Sequence, residues 1–208
     1  MADWDLVTSE RSALVDLFAG LDDAQWGAAS LCPGWTVKDV LAHLASVLDA
    51  STAQTVKAAV GGLGRPGAVI DRLTRAYADR APADLLEVYR RHVQSSFAPP
   101  GLGWRATHTD VMVHRMDVAV PLGIDPRRPA EAWRPTLDFL TSRIPMMGSI
   151  RGGRPRLTWA ATDLDWRSGS GPLVSGPAAS LGTAIAGRAA VLDDLDGPGV
   201  AAVRTWLG

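Results

Sequence analysis

Residues 31–44 read LCPGWTVKDVLAHL, a tight turn that runs directly into a helix. Pro33-Gly34 is a turn dipeptide. Thr36 followed three residues later by Asp39 is a capping-box pattern, which predicts that a helix begins at this point. Apolar residues then recur at helical spacing, at Val37, Val40, Leu41, Leu44, Val47 and Leu48. The stretch therefore predicts an amphipathic helix that packs into a bundle, with His43 on its inward-facing side.

The same spacing of apolar residues predicts further helices on either side of this stretch. They lie around Leu6–Leu21, around Ile70–Tyr77, around Leu86–Phe97 and from Thr107 to Leu122, where Gly123 ends the last one. Several helices with apolar faces and short connections are typical of an all-α bundle. We therefore predict that residues 1–125 form a helical bundle.

The pattern changes after Pro126 and Pro129. Residues 126–208 predict a small α/β unit with short strands and helices rather than a second bundle. The predicted elements are a helix near Glu131–Ile144, strands at Leu157–Thr162 and around Trp166, a helix from Gly176-Pro177 to Gly187, and a helical tail at Val200–Leu207. The predicted fold class is α+β, with an N-terminal helical bundle followed by a small α/β domain.

Composition excludes several classes of function. The 208 residues are 47% hydrophobic and 21% charged, with a net charge of −1 and scattered arginines, which argues against nucleic-acid binding. No apolar stretch approaches the roughly 18 residues of a membrane span, and the acidic start is unlike a secretory signal. The lone cysteine, Cys32, cannot form an internal disulfide, so we expect a reducing cytoplasm.

Three residues are candidate metal ligands. Asp110 and His114 are four residues apart, so on a helix their side chains lie on one face and can share one ion. His43 would add a second imidazole, and a fourth position would stay open, as in catalytic metal sites. Asp117 continues the same face and could orient a ligand histidine. The spacing alone leaves two alternatives open, a buried structural histidine and an ordinary Asp–His pair on a helix surface.

Several stretches, in order along nearly the whole chain, resemble one family. They are residues 31–44 above, 110–123 (DVMVHRMDVAVPLG), 161–166 (ATDLDW), 176–179 (GPAA) and 187–197 (GRAAVLDDLDG). Together they resemble the mycothiol-dependent maleylpyruvate isomerase family. The resemblance implies a DinB-like N-terminal four-helix bundle and a small α/β C-terminal domain similar to sterol carrier proteins.

The resemblance also implies functional residues. His43 and His114 match the family's two histidine ligands, and Asp110 stands where the isomerase has glutamate. Arg188 matches an arginine implicated in the isomerase's activity, although a helix-capping role is an equal alternative. The implied cofactors are a divalent metal, usually zinc, and mycothiol as the thiol cosubstrate. The implied partner is a small electrophile, and the protein could be a monomer or a homodimer.

Three functions stay open at this stage. The first is a metal- and mycothiol-dependent isomerase or S-transferase, in which the thiolate adds to the electrophile in a cleft between the two units. The second is a metal-dependent hydrolase on the same bundle, and the third is a non-catalytic binding protein, which the aspartate at position 110 keeps open. For the remaining polar or reactive residues we expect structural roles: Cys32 as a small packed hydrophobe, Trp35 as a buried anchor, and His108 in solvent.

Overall fold

The computed structural model describes residues 3–63, 65–126, 128–142 and 152–208. Ten helices are found in these ranges: α1 (Asp3–Ala19), α2 (Asp23–Gly27), α3 (Val37–Asp49), α4 (Thr52–Gly61), α5 (Pro66–Ala78), α6 (Pro82–Arg91), α7 (Gly103–Ala119), α8 (Arg134–Thr141), α9 (Ala178–Ile185) and α10 (Val200–Leu207). Within the same ranges, no helix is both long and apolar enough to cross a bilayer. The α+β prediction is confirmed.

The start of α3 follows the predicted capping box. Thr36 Oγ1 accepts a hydrogen bond from the Asp39 amide (3.2 Å), and Asp39 Oδ2 accepts one from the Thr36 amide (2.8 Å). These two bonds satisfy backbone donors that the first helical turn would otherwise leave free. They also fix the rotation of α3, which buries Val40 and Leu41 and points His43 inward.

The N-terminal helices share one apolar core, in which α3 packs against α5 and α6 while α1 packs against α7. Its largest fully buried members are Phe18, Tyr77 and Tyr89, followed by Leu14, Leu41 and Leu85. Helix α4 was not predicted, because Ala58 is its only buried residue and it has no apolar stripe facing the core. The predicted helix through Phe97 is too long: α6 ends at Arg91, and Phe97 is 44% exposed.

A buried arginine stabilises the chain just beyond α6. Arg11, on α1, is 1% exposed, and its Nη1 donates to the Ser95 carbonyl at 2.6 Å and to the His92 and Val93 carbonyls at 3.4 Å. Carbonyls that follow a helix end lack partners within the helix. The guanidinium supplies hydrogen bonds to carbonyls of the segment that follows α6 and so stabilises its non-helical path.

The C-terminal part contains a three-stranded sheet in the order β2-β1-β3. Its strands are β1 (Thr158–Ala161), β2 (Arg167–Gly169) and β3 (Leu173–Gly176). β1 pairs with β2 antiparallel and with β3 parallel, so that Trp159 lies between Ser168 and Val174. The strand predicted at 157–162 and the tail helix are confirmed, whereas β3 was not predicted. The helix predicted at 131–144 is found to Thr141, and Ile144 lies outside the described residues.

Helix α7 joins the two cores. Val111 and Val118 pack in the bundle, whereas Met112, Val113 and Met116 pack against the C-terminal part. Residues 106–109 and 111–119 are buried without a break. A helix that is buried all round lies in the interior of a protein rather than on its surface. The predicted division between residues 125 and 126 remains a prediction, since this helix belongs to both cores.

The solvent position expected for His108 is wrong. The residue is 1% exposed, and its Nδ1 lies 3.1 Å from Thr136 Oγ1 at the contact between α7 and α8. Burial lowers the pKa of His108 to about 4, so the imidazole is neutral near pH 7. The sequence argument failed here because it treated α7 as a helix with one solvent-facing side.

A substitution at Gly182 on α9 tests how tightly the core of the C-terminal part is packed. A Cβ at this position would lie 2.8 Å from two ring atoms of the buried Trp133. Gly182→Ala should therefore lower the free energy of unfolding by about 1–3 kcal/mol through overpacking. Denaturant unfolding measures this change. Gly27→Ala is the matched control, because Gly27 is exposed and its Cβ would meet nothing within 4 Å. Equal unfolding free energies for the two variants would contradict the packing described.

Candidate functional site

The three predicted ligands converge. His43 projects from α3, and Asp110 and His114 project from α7. Asp110 Oδ1 lies 3.4 Å from His114 Nε2 and 3.6 Å from His43 Nε2, and the three donor atoms all lie within 4.8 Å of one another. Donor atoms bound tetrahedrally to zinc at about 2.1 Å are separated by about 3.4 Å. The spacing of these donors therefore fits a divalent ion between them.

The exposure of the three side chains also fits an open metal site. The two imidazoles are buried, His43 at 4% exposure and His114 at 8%, whereas the Asp110 side chain is 33% exposed. His43 Nδ1 is buried without a hydrogen-bond partner in the described part of the chain. The Nε2 atom of His43 faces the Asp110 carboxylate across 3.6 Å, so it is the nitrogen of this imidazole that could bind a shared ion.

Asp110 and His114, both on α7, attract each other electrostatically when no metal ion is bound. Burial by itself lowers the pKa of His114, but the Asp110 charge and hydrogen bonds to Asp110, Asp117 and Cys32 raise it well above its ordinary value. Burial likewise raises the pKa of Asp110, but the charge and hydrogen bond of His114, with a smaller effect of His43, hold it well below its ordinary value. An incoming cation must therefore displace a proton from His114, which makes binding weaker in acid.

Asp117 orients His114 through Nδ1, the ring nitrogen opposite the one that faces Asp110. The Asp117 side chain is fully buried, and its Oδ2 lies 2.9 Å from His114 Nδ1. Because a carboxylate only accepts, Nδ1 carries the proton and Nε2 faces Asp110. A second bond fixes the main chain at this point, since the Leu31 amide donates to the Asp117 carbonyl at 3.0 Å. This is the arrangement expected of a residue that sets the tautomer of a ligand histidine.

Arg188 reaches the site from the C-terminal part and pairs with Asp117. Its Nε donates to Asp117 Oδ1 at 2.8 Å and its Nη2 donates to Oδ2 at 2.7 Å, which is the bidentate geometry of a strong ion pair. Its Nη1 donates to the Ala186 carbonyl at the end of α9 at 2.7 Å, so the helix-end contact considered from sequence is present as well. The guanidinium is thus held by the protein on both edges.

Cys32 packs against the bundle core as expected, and it also belongs to this polar cluster. Its thiol donates to Asp117 Oδ2 at 3.1 Å and accepts from Arg188 Nη2 at 3.5 Å. Its Sγ lies 3.8 Å from His114 Nδ1. The residue is half-buried and lines the pocket. Sequence distance hid these contacts, because the histidine near Cys32 lies 82 residues away along the chain.

A pocket of about 580 Å³ opens onto the three donors. Its walls come from α3, α5 and α7, from the turn before α3, and from residues 186–189 and 207. Trp35 is half-buried, packs against the bundle core and lines this wall, and its ring centroid lies 5.3 Å from that of His43 and 6.5 Å from that of His114. The pocket therefore lies between the bundle and the C-terminal part, where the cleft was expected.

Comparison with known proteins identifies the family. The model of the mycothiol maleylpyruvate isomerase N-terminal domain matches residues 7–138, and the chain belongs to this family. Two solved structures, of the mycothiol-dependent maleylpyruvate isomerase and of a histidine-to-alanine mutant of it, are similar in fold, with TM-scores of 0.64 and 0.63. Each is 17% identical, and each match covers 94% of this chain and 91% of the other. No curated protein matches the sequence significantly.

The ion pair between Asp117 and Arg188 is a candidate for the largest single polar contribution to stability at the site. Asp117→Asn keeps the shape but leaves the buried Arg188 without its counter-charge, which should cost about 3–5 kcal/mol. Denaturant unfolding with a chelator present measures this cost without any metal contribution.

Asp193→Asn is the control for that variant. Asp193 also bonds an arginine, Arg204, at 2.7 Å, but its side chain is 93% exposed. Exposed ion pairs contribute little, so this variant should unfold like the wild type. A loss of stability at Asp117 no larger than that at Asp193 would show that the buried pair does not hold the site together.

Proposed function

We propose that this protein is a metal-dependent, mycothiol-dependent transferase or isomerase that acts on a small electrophile in the cytoplasm. The observation that carries the proposal is the convergence of His43, Asp110 and His114 at zinc-like spacing on the floor of an open pocket. Membership of the mycothiol maleylpyruvate isomerase family supports the thiol and the reaction class.

His43, Asp110 and His114 would hold the ion, with zinc as the first candidate because imidazole and carboxylate donors suit it. A divalent ion at this position lowers the pKa of a thiol that reaches its open face, and so supplies a thiolate nucleophile at neutral pH. Asp110 is one methylene shorter than glutamate, yet its Oδ1 already lies close to both imidazole nitrogens. The shorter side chain therefore still supports a three-ligand site.

The other residues of the site position and shield these groups. Asp117 keeps the Nδ1 proton on His114, so that Nε2 stays available. Trp35 packs beside the two imidazoles in the pocket wall and so excludes water from that side of the donor set. In the isomerase outcome the thiol adds to a conjugated double bond, rotation occurs about the resulting single bond, and elimination of the thiol restores the double bond. In the transferase outcome the carbon–sulfur bond remains and the neighbouring carbon takes a proton.

For Arg188 we propose a positioning role in place of the substrate or thiol clamp that the family resemblance implied. A bidentate grip on a ligand carboxylate needs two N–H groups on one edge of the guanidinium. The Nε–Nη2 edge is already bonded to Asp117, and Nη1 is bonded to the Ala186 carbonyl. Arg188 would then act on the ion through Asp117 and His114 rather than on the substrate.

The first experiment measures metal binding. Protein purified without an affinity tag or chelator should contain about one divalent ion per chain by mass spectrometry, since three protein ligands are in place. His43→Ala and His114→Ala should both lose it. His92→Ala is the matched control, because His92 pairs with Asp49 at 3.2 Å outside the three-donor cluster. Metal-free wild type that also refuses added zinc and cobalt would overturn the catalytic proposal and favour a binding protein.

A titration with cobalt distinguishes a positioning role of Arg188 from a role in binding substrate. If Arg188 positions His114 through Asp117, Arg188→Gln should weaken cobalt binding about 10- to 100-fold, the usual effect of losing an outer-shell partner. If Arg188 only contacted substrate, the cobalt affinity would be that of the wild type.

Thiol dependence is the second test of the proposed reaction. With an activated alkene as substrate, turnover should require both mycothiol and the ion, and it should disappear in His43→Ala. Hydrolysis of an ester that proceeds equally well without thiol would instead favour the metal-dependent hydrolase, because water can take the same open position. Glutathione, at the same concentration as mycothiol, controls for general thiol reactivity.

A further inference from the structure

A protein thiol lies in the wall of the pocket. Cys32 is the single cysteine of the chain, it is half-buried, and it lines the pocket together with His114 and Arg188. Its Sγ lies 3.8 Å from His114 Nδ1, whereas the three candidate metal donors meet on the Nε2 side of that ring. The sulfur is therefore close to the candidate metal site without belonging to its donor set, and the proposed reaction does not use it.

The groups around the sulfur are those of a reactive cysteine rather than an inert one. Arg188 Nη2 lies 3.5 Å from Sγ, and His114 Nδ1 lies 3.8 Å from it on the other side. The thiol hydrogen points to Asp117 Oδ2 at 3.1 Å. Reactive cysteines are partly exposed and lie beside cationic N–H donors, whereas cysteines enclosed by apolar groups are inert. The position of Cys32 therefore suits covalent chemistry at its sulfur.

The pocket has further features of a ligand site. Its volume of about 580 Å³ is within the range of roughly 300–1,000 Å³ that small-molecule sites have. Two polar side chains in its wall, His43 at 4% exposure and Thr109 at 0%, each have a buried atom without a hydrogen-bond partner in the described part of the chain. Buried polar groups in native proteins are rarely left unpaired, so these atoms indicate a pocket that a ligand completes.

We propose that Cys32 is a modification site, at which the protein forms a mixed disulfide with mycothiol held in the pocket when a hydroperoxide is present. The Cys32 sulfur takes one oxygen from hydrogen peroxide and becomes a sulfenic acid, and one water is released. The sulfenic acid then forms a sulfur–sulfur bond with the thiol of mycothiol, and its hydroxyl leaves with the thiol hydrogen as a second water. Two thiols are thus oxidised to one disulfide, and the peroxide is reduced to two waters.

This disulfide would switch the proposed reaction off reversibly. The attached mycothiol occupies the pocket, and Cys32 loses the hydrogen that it donates to Asp117. A thiol reductant restores both thiols by exchange. The identity of the modifying thiol rests on the proposed function, whereas the place of Cys32 in the wall of a ligand pocket does not.

Mass spectrometry of the intact protein under non-reducing conditions tests the modification. Wild-type protein as purified is mixed with mycothiol and then with an equimolar amount of hydrogen peroxide. A single adduct should form, heavier by one mycothiol less two hydrogens. Dithiothreitol should remove it, and Cys32→Ser should not form it. A wild type without the adduct, or one whose Cys32 is oxidised to the sulfinic acid although mycothiol is present, would overturn the proposal.

A comparison of thiols shows whether the pocket directs the modification. In the folded protein the adduct should form at least about tenfold faster with mycothiol than with glutathione at equal concentration, because a bound thiol reacts at a high effective concentration. In urea, which removes the pocket, the two rates should become equal. Equal rates in the folded protein would contradict the proposal, and this comparison needs no variant.

Two glycine variants locate the route to Cys32. Gly67 lies at the exposed rim of the pocket, and a Cβ there would meet nothing within 4 Å, so Gly67→Phe narrows the pocket without a clash at Cβ. It should slow the reaction with mycothiol to the rate with glutathione. Gly27→Phe is the matched control, because Gly27 is equally open, exposed and outside the pocket. If both variants fold by circular dichroism and react like the wild type, mycothiol does not reach Cys32 through this pocket and the assignment fails.

These outcomes are separate from those of the metal and turnover experiments. An adduct on a protein that shows no mycothiol-dependent turnover would overturn the proposed reaction and leave the modification site standing. Turnover that requires mycothiol, without any adduct on Cys32, would overturn the modification site alone.

Discussion

A single buried carboxylate holds the site together. Asp117 accepts hydrogen bonds from His114, Arg188 and Cys32 on its two oxygens, and its main-chain carbonyl accepts one from Leu31. A fully buried charge is costly unless it is paired and hydrogen-bonded, and here the pairing groups come from three separate parts of the chain. The need to satisfy one carboxylate therefore fixes the position of a candidate metal ligand, a thiol and a C-terminal arginine at the same time.

Helix α7 is the element that makes this possible. Between Ala106 and Ala119 it is buried except at Asp110, with the bundle core on one face and the C-terminal core on another, so it cannot rotate without disturbing both. Asp110, His114 and Asp117 lie along the remaining face, which α3 and the turn before it cover. The rigidity of the donor set is thus a consequence of core packing on the opposite sides of the helix.

The parts of the structure that local rules determine could be predicted from the sequence. The capping box at Thr36 and Asp39 placed α3 correctly, and the i, i+4 spacing brought Asp110 and His114 to one face, where His43 meets them. The pairing of Asp117 with Arg188 and the contacts of Cys32 could not be predicted, because no local pattern records a contact across 71 or 85 residues. The burial of His108 was missed for a related reason: on a helix that is covered on all sides, periodicity no longer distinguishes inside from outside.

The order of residues along the chain has a consequence for how the protein is made. His43, Asp110, His114 and Asp117 all leave the ribosome well before Arg188, which follows Asp117 by 71 residues. Until that segment arrives, a nascent bundle must bury the Asp117 carboxylate with only His114 and Cys32 as partners, so its final closure is a late, long-range step in folding. The site is therefore complete only once the segment around Arg188 has been synthesised, and a chain released before that point would keep its donor residues but lose the arginine that holds Asp117 in place.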